Sequence, residues 1–144
     1  MTWRVIKMRT NRILKIPAIM LLFICSTVKA EVIEIKPEVL VGKIETQNNT
    51  VVQFTSPDKN CRHCIGADSA FDNFADNHTG NYSFLRVQWS PWNKTPEAIK
   101  KEYRIVGLPM HICYRDGKEV KKLFGSIKAV KSDVVQHFKD ACFK

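Results

Sequence analysis

Much that would divert this sequence toward other chemistries is missing from it. It holds one Cys-x-x-Cys, at Cys61 and Cys64, with no second copy and no His-x3–5-His pair. A structural zinc needs four ligands, usually in paired spacing. Here His63, His78, His111, His137, Cys113 and Cys142 are scattered, so no metal is expected. There are no repeats, linkers or low-complexity tracts, which leaves a single domain in 144 residues. The apolar stretch from Ile16 to Val28 is thirteen residues long and broken by Pro17, Ser26 and Thr27. A bilayer-spanning helix needs ~20 residues, so this stretch is too short for one.

Acidic residues are absent before Glu31, whereas Arg4, Lys7, Arg9, Arg12 and Lys15 precede the apolar stretch. A basic start, a short apolar core and small residues at Val28-Lys29-Ala30 have the form of a secretory signal peptide, residues 1–30, cleaved near Ala30. Met8 is an alternative start giving a shorter leader. Cys25 does not read as a lipoprotein cysteine, because bulky Ile24 precedes it. The leader also explains much of the charge. Six of the 23 Lys and Arg residues and none of the 14 acids lie in it, leaving 17 against 14, a net +3, in 31–144. That is ordinary solvated charge and gives no case for a nucleic-acid partner. The lysines between Lys118 and Lys131 read as a solvated face. Asn-x-Ser/Thr sites occur at Asn48, Asn77, Asn81 and Asn93, but the chain ends in no retention signal, so the periplasm is expected rather than a eukaryotic secretory compartment.

What is there centres on Asn60-Cys61-Arg62-His63-Cys64. The β-branched and aromatic run Thr50 to Thr55 reads as a buried strand, Ser56 to Asn60 as a polar loop, and Ile65, Ala67, Ala70, Phe71, Phe74 and Ala75 recur at helical spacing. This predicts a helix from Cys61 to about Asp76, with Cys61 at its N-terminus, where free N–H groups and the dipole stabilise a thiolate. Cys64 lies one turn on, close enough to close a disulfide. Arg62, and His63 when protonated, add positive charge. An inert structural disulfide is the plainer alternative, although so tight a loop contributes little stability. A Cys-x-x-Cys beside a strand–helix pattern favours redox chemistry.

The remaining elements follow in order. Val32 to Ile35 alternates as a short strand, and Pro37 opens a short helix to Ile44. Tyr82 to Trp89 is a strand, and Asn77 to Asn81 and Ser90 to Lys94 are loops. Thr95 and Pro96 open a helix to about Tyr103. Met110 to Tyr114 and Glu119 to Phe124 pair as a hairpin across Asp116-Gly117. A last helix starts at Ser132, an N-cap, with Val134, Val135, Phe138, Ala141 and Cys142 on one stripe. The order β-α-β-α-β-α-β-β-α predicts an α/β fold: a mixed sheet with helices on both faces, parallel strands in the middle and a hairpin at the edge.

With these elements placed, the chain resembles the thioredoxin family from about Val32 to Phe143. The resemblance rests on Val51-Val52-Gln53-Phe54 before Cys61-x-x-Cys64, on Val106-Gly107-Leu108-Pro109 before a strand, and on the Arg115-Asp116-Gly117-Lys118 hairpin with Gly125 before a final helix. It implies a thioredoxin fold over 31–144 and a thiol–disulfide oxidoreductase without a bound cofactor. In that family the proline matching Pro109 is cis, packs on the disulfide and, with the Leu108 beside it, shapes the substrate groove. Cys61 would attack and Cys64 would resolve. His63 matches a histidine that, in periplasmic oxidases of the Dsb type and in protein disulfide isomerase, stabilises the thiolate and makes the pair oxidising; otherwise it is a solvent-facing spectator.

Three departures qualify the resemblance. Asn60 stands where thioredoxins usually have tryptophan, the loop before Cys61 is about two residues longer, and Gln53 aligns with a buried acid used for proton transfer. No large helical insertion precedes Pro109 and no dimerisation domain is present, so neither a full Dsb-type oxidase nor a dimeric isomerase is expected, and the chain should act as a monomer. Its expected partners are protein thiols or disulfides and a membrane or soluble redox partner. Arg62 and His63 argue for an oxidant, small size for a specialised reductant. The rival is a redox-inactive thioredoxin-like module that binds proteins in an envelope complex. Cys113 and Cys142 are either a second disulfide, favoured by an oxidising compartment, or two buried free thiols. His78, His111 and His137 read as structural or exposed.

Overall fold

A computed structural model of the chain describes residues 30–78, 80–89 and 97–144. Strands β1 (Val32–Ile35), β2 (Asn49–Thr55), β3 (Ser83–Gln88), β4 (Met110–Arg115) and β5 (Lys118–Phe124) form one sheet in the order β1-β3-β2-β4-β5. β1 and β2 flank β3 and run parallel to it, while β4 is antiparallel to both β2 and β5. The mixed α/β sheet is as expected. Its parallel strands, however, fill one side out to the β1 edge instead of only the middle.

Helices α1 (Leu40–Thr46), α2 (Ala67–Asp76), α3 (Glu97–Glu102) and α4 (Ser132–Cys142) cover both faces. The alternation of side chains along a strand sends successive residues to opposite faces, and β2 shows this clearly. Val52 and Phe54 join Leu40, Ile44, Leu85, Val87, Tyr103 and Ile112 under α1 and α3. Val51 joins Phe71, Phe74, Phe84, Cys113, Leu123 and Phe138 under α2 and α4. Both faces of β2 are buried from Thr50 to Thr55, and Gln53 is the one amide among its buried side chains.

The ends of several elements differ from the sequence reading. Pro37 opens a 3-10 turn, Pro37–Val39, before α1 begins at Leu40. Ser132 is the first helical residue of α4, and Lys131 occupies the cap without a side-chain bond. The hairpin turn is as expected. Asp116 and Gly117 both have positive φ, 50° and 75°, the backbone of a tight turn whose twist matches its strands. The leader up to Lys29, the loop at 90–94 and the Thr95-Pro96 helix start lie outside the described residues. Among the described residues no helix is long and apolar enough to cross a membrane.

Phe138 is fully buried and anchors α4 on the sheet, its ring 6.3 Å from that of Phe74 on α2. Phe138→Ala should cost about 3–5 kcal/mol, seen as a lower urea midpoint with the slope unchanged.

Candidate active site

The cysteines sit between β2 and α2, but not on the helix. From Cys61 to Gly66 the chain makes overlapping turns. The Cys64 N–H bonds the Cys61 carbonyl at 2.8 Å and the Ala67 N–H bonds the Cys64 carbonyl at 2.9 Å. Gly66 then takes a left-handed φ of 73° as the cap of α2. A left-handed residue interrupts a right-handed helix, which is why α2 starts at Ala67 and not at Cys61. The expectation of a helix N-terminus at Cys61 is corrected accordingly: the first turn of α2 lies six residues on, and the turns, not the helix, hold the sulfurs.

Cys61 and Cys64 form a disulfide, their Cα atoms 5.3 Å apart. The two sulfurs differ in access. Cys64 is 6% exposed, whereas Cys61 is partly exposed, and its Sγ lies 4.0 Å from the Leu108 carbonyl oxygen. The Leu108–Pro109 peptide is cis, as the resemblance implied. Leu108 and Pro109 line a cavity of about 680 Å³ together with Arg62, His63 and Gly66. Cys61 and Leu108 also line a smaller cavity of about 230 Å³ with Ser56, Asp58 and Asn60. All six residues named from the sequence, Cys61, Arg62, His63, Cys64, Leu108 and Pro109, therefore gather at one end of the sheet. Arg62 and His63 are exposed. Among the described residues no group of three or more His, Cys, Asp and Glu side chains converges to hold a metal.

Beneath the turns, a polar row missed by the sequence reading crosses the sheet. Glu34, Arg86, Gln53 and His111 are register partners on four adjacent strands. Gln53 and His111 are fully buried and Arg86 nearly so. The Gln53 amide nitrogen donates to the Ala67 carbonyl at 3.0 Å, and its oxygen accepts from Arg86 Nε at 2.7 Å. Arg86 also donates to the Asp68 carbonyl at 2.9 Å and to the Asp72 carboxylate at 2.7 Å. A buried guanidinium is costly unless its donors are satisfied, and here the start of α2 supplies the acceptors. The sequence signal was Arg86 itself, a lone charge inside Phe84-Leu85-Arg86-Val87.

His111 stands apart in this row. Its ring lies 5.3 Å from Phe71, and neither ring nitrogen has a hydrogen-bond partner. Burial lowers its pKa to about 3; the Gly125 and Leu123 backbone pulls it up, and the positive Arg86 pushes it down. Of the two readings of Cys113 and Cys142, the structure takes the second: both are free, buried thiols and not a disulfide. The neighbouring Cys113 thiol together with burial pushes the Cys142 thiol far up.

No protein-family model matches this chain, and no curated protein sequence does. Solved structures do. Thioredoxin f from spinach chloroplast, in its short form, superposes with a TM-score of 0.63 at 15% identity, covering 81% of this chain and 97% of that one. Thioredoxin from Trypanosoma brucei brucei gives 0.60 at 19% identity over 80% and 94%. Thioredoxin f2 from Chlamydomonas reinhardtii gives 0.59 at 17% identity over 76% and 94%. The chain has the thioredoxin fold. It carries a Cys-x-x-Cys disulfide at the junction of β2 and α2.

Two outcomes are expected from this geometry. Since His111 has a lower pKa folded than its ordinary 6.5, the unfolded chain takes the proton first as pH falls. Stability is complete above about pH 6.5 and erodes toward pH 3, by up to about 1.4 kcal/mol per pH unit. His111→Leu should flatten that slope in urea titrations between pH 7 and 4. Separately, Gly66→Ala should cost about 1–2 kcal/mol from the left-handed backbone alone, as no heavy atom lies within 4 Å of the added Cβ. Wild-type stability in that variant would show that the turn relaxes freely.

Proposed function

We propose that this chain is an exported thiol–disulfide oxidoreductase that exchanges disulfides with protein substrates through Cys61 and Cys64, without a bound cofactor. The leader, residues 1–30, would deliver the domain 31–144 to the periplasm, where it works as a monomer and is recycled by a membrane or soluble redox partner. The observation that carries this reading is the unequal access of the two sulfurs, Cys61 open to a groove and Cys64 6% exposed behind it.

Unequal access assigns the steps. In the reducing direction the Cys61 thiolate attacks one sulfur of a substrate disulfide and expels the other as thiolate, leaving a mixed disulfide. The Cys64 thiolate then attacks Cys61 Sγ, releases the second substrate thiolate and closes the Cys61–Cys64 bond. Two electrons pass to the substrate, and its two thiolates take protons from solvent. In the oxidising direction the same bonds form and break in reverse. Arg62, and His63 when protonated, both exposed on the turn that holds Cys61, place positive charge where a thiolate forms and favour the reduced pair, hence an oxidant. Gln53 at the buried position cannot take up a proton as a carboxylate would, which argues against a fast thioredoxin-like reductant.

Insulin reduction and refolding of reduced ribonuclease test the activity. Cys61→Ser should abolish both, and Cys64→Ser should accumulate the mixed disulfide, visible by mass spectrometry and released by reductant. Equal, low activity in the wild type and Cys61→Ser would favour a redox-inactive binding module instead. A reduction potential near roughly −120 mV would mark an oxidant and one near roughly −270 mV a reductant.

A further inference from the structure

We propose that the groove beside Cys61 selects protein segments with acidic residues on one flank of the reacting cysteine and an apolar side chain among them. This deepens the redox reading above and rests on it only in using the same site. One wall of the groove is the Arg62–Gly66 turn, the other is the loop after β5, and the cis Leu108–Pro109 pair lies between them. The loop wall is fixed by backbone bonds. The Gly125 N–H bonds the Pro109 carbonyl at 2.9 Å, and the Ala129 and Val130 N–H groups both bond the Ser126 carbonyl.

Each wall offers one apolar and one cationic side chain. Ile65 is 72% and Phe124 51% exposed, large side chains left without cover at the mouth of the site. Arg62 and Lys128 are exposed on the opposing walls, and among the described residues no carboxylate lines the cavity between them. In the smaller cavity, which Cys61 itself lines and which meets the first at Leu108, the sign reverses, because it holds Asp58, whose Oδ1 accepts the Asn60 N–H at 2.9 Å. A chain lying across Cys61 therefore meets two cations on one flank and a carboxylate on the other. Complementary charge of this kind governs encounter and partner choice, while the apolar pair supplies contact area that water leaves on binding.

The test separates binding from exchange. Fluorescein-labelled peptides carry two glutamates or two lysines on either the N- or the C-terminal flank of a central residue, with leucine next to it. The central residue is serine for anisotropy titrations of the oxidised protein and cysteine, as a peptide disulfide, for exchange with the reduced protein. In low salt a glutamate peptide of one polarity should bind about fivefold more tightly than its lysine counterpart, and the preference should fade at about 0.5 M salt. Lys128→Glu and Arg62→Glu should each reverse it, whereas Lys43→Glu, an equal charge change on exposed α1, should not. Equal binding of the acidic and basic peptides, or a preference that Lys128→Glu leaves intact, overturns the proposal. Charge-selective binding of the serine peptides with no exchange of any cysteine peptide upholds the surface and sinks the redox reading alone.

Discussion

One buried guanidinium ties the sheet to the helix that follows the cysteines. Arg86 reaches Gln53 on β2, the Asp68 carbonyl and the Asp72 carboxylate on α2, and Glu34 on β1 lies 3.6 Å away. A charge this far from water is tolerated only while its donors stay paired. The first turns of α2 are held in place by that requirement, and with them Ala67, whose N–H closes on the Cys64 carbonyl. The position of Cys64 is thus set from below, through Gln53 and Arg86, rather than by the helix dipole.

The cavity walls complete the site from the opposite side. Leu108 and Pro109 come from the segment before β4, Phe124 from the end of β5 and Lys128 from the segment after it, so the hairpin that closes the sheet also delivers the groove. Its turn, Asp116-Gly117, lies at the far end of β4 and β5 from Pro109. The short turn sets the pairing beside it, a bulge at Val120 then shifts the register between Tyr114 and Cys113, and the register beyond that bulge fixes which side chains reach the site. Gly125 is the joint: at φ 90° its N–H reaches back to Pro109, and a Cβ there would meet Val130 at 3.0 Å.

The fold was legible where local pattern and tertiary demand agree. The apolar run Thr50 to Thr55, the Asp-Gly hairpin and the stripe of α4 each carry one period and one turn signal, and the structure places them within a residue or two of the reading. The juxtaposition of the cysteine pair with the cis proline was legible for the same reason, since strand, cysteines, proline and hairpin fall in a fixed order along the chain. The helix start at Ala67 was not. Ile65 and Ala67 fit a helical period, but a single left-handed glycine overrules the pattern, and spacing carries no information about φ. Nor were Arg86 and His111 legible as a pair with Gln53, because strand order decides which residues become neighbours and the sequence does not state it. Phe124 and Lys128 were read as strand end and solvated face; only the fold sets them opposite Ile65 and Arg62.

The free thiols of Cys113 and Cys142, 2% and 1% exposed, bear on how the chain matures. Four of the five cysteines lie in the described residues, and four can pair in three ways; short loop closure favours Cys61 with Cys64, but in an unfolded chain Cys113 and Cys142 are open to the same oxidant. Once α4 docks, the core acts as a protecting group: it removes two sulfurs from competition and leaves the exposed pair as the sole reactive couple among the described residues. Fidelity of pairing is then a question of timing, decided by whether the last helix lands before the oxidant arrives.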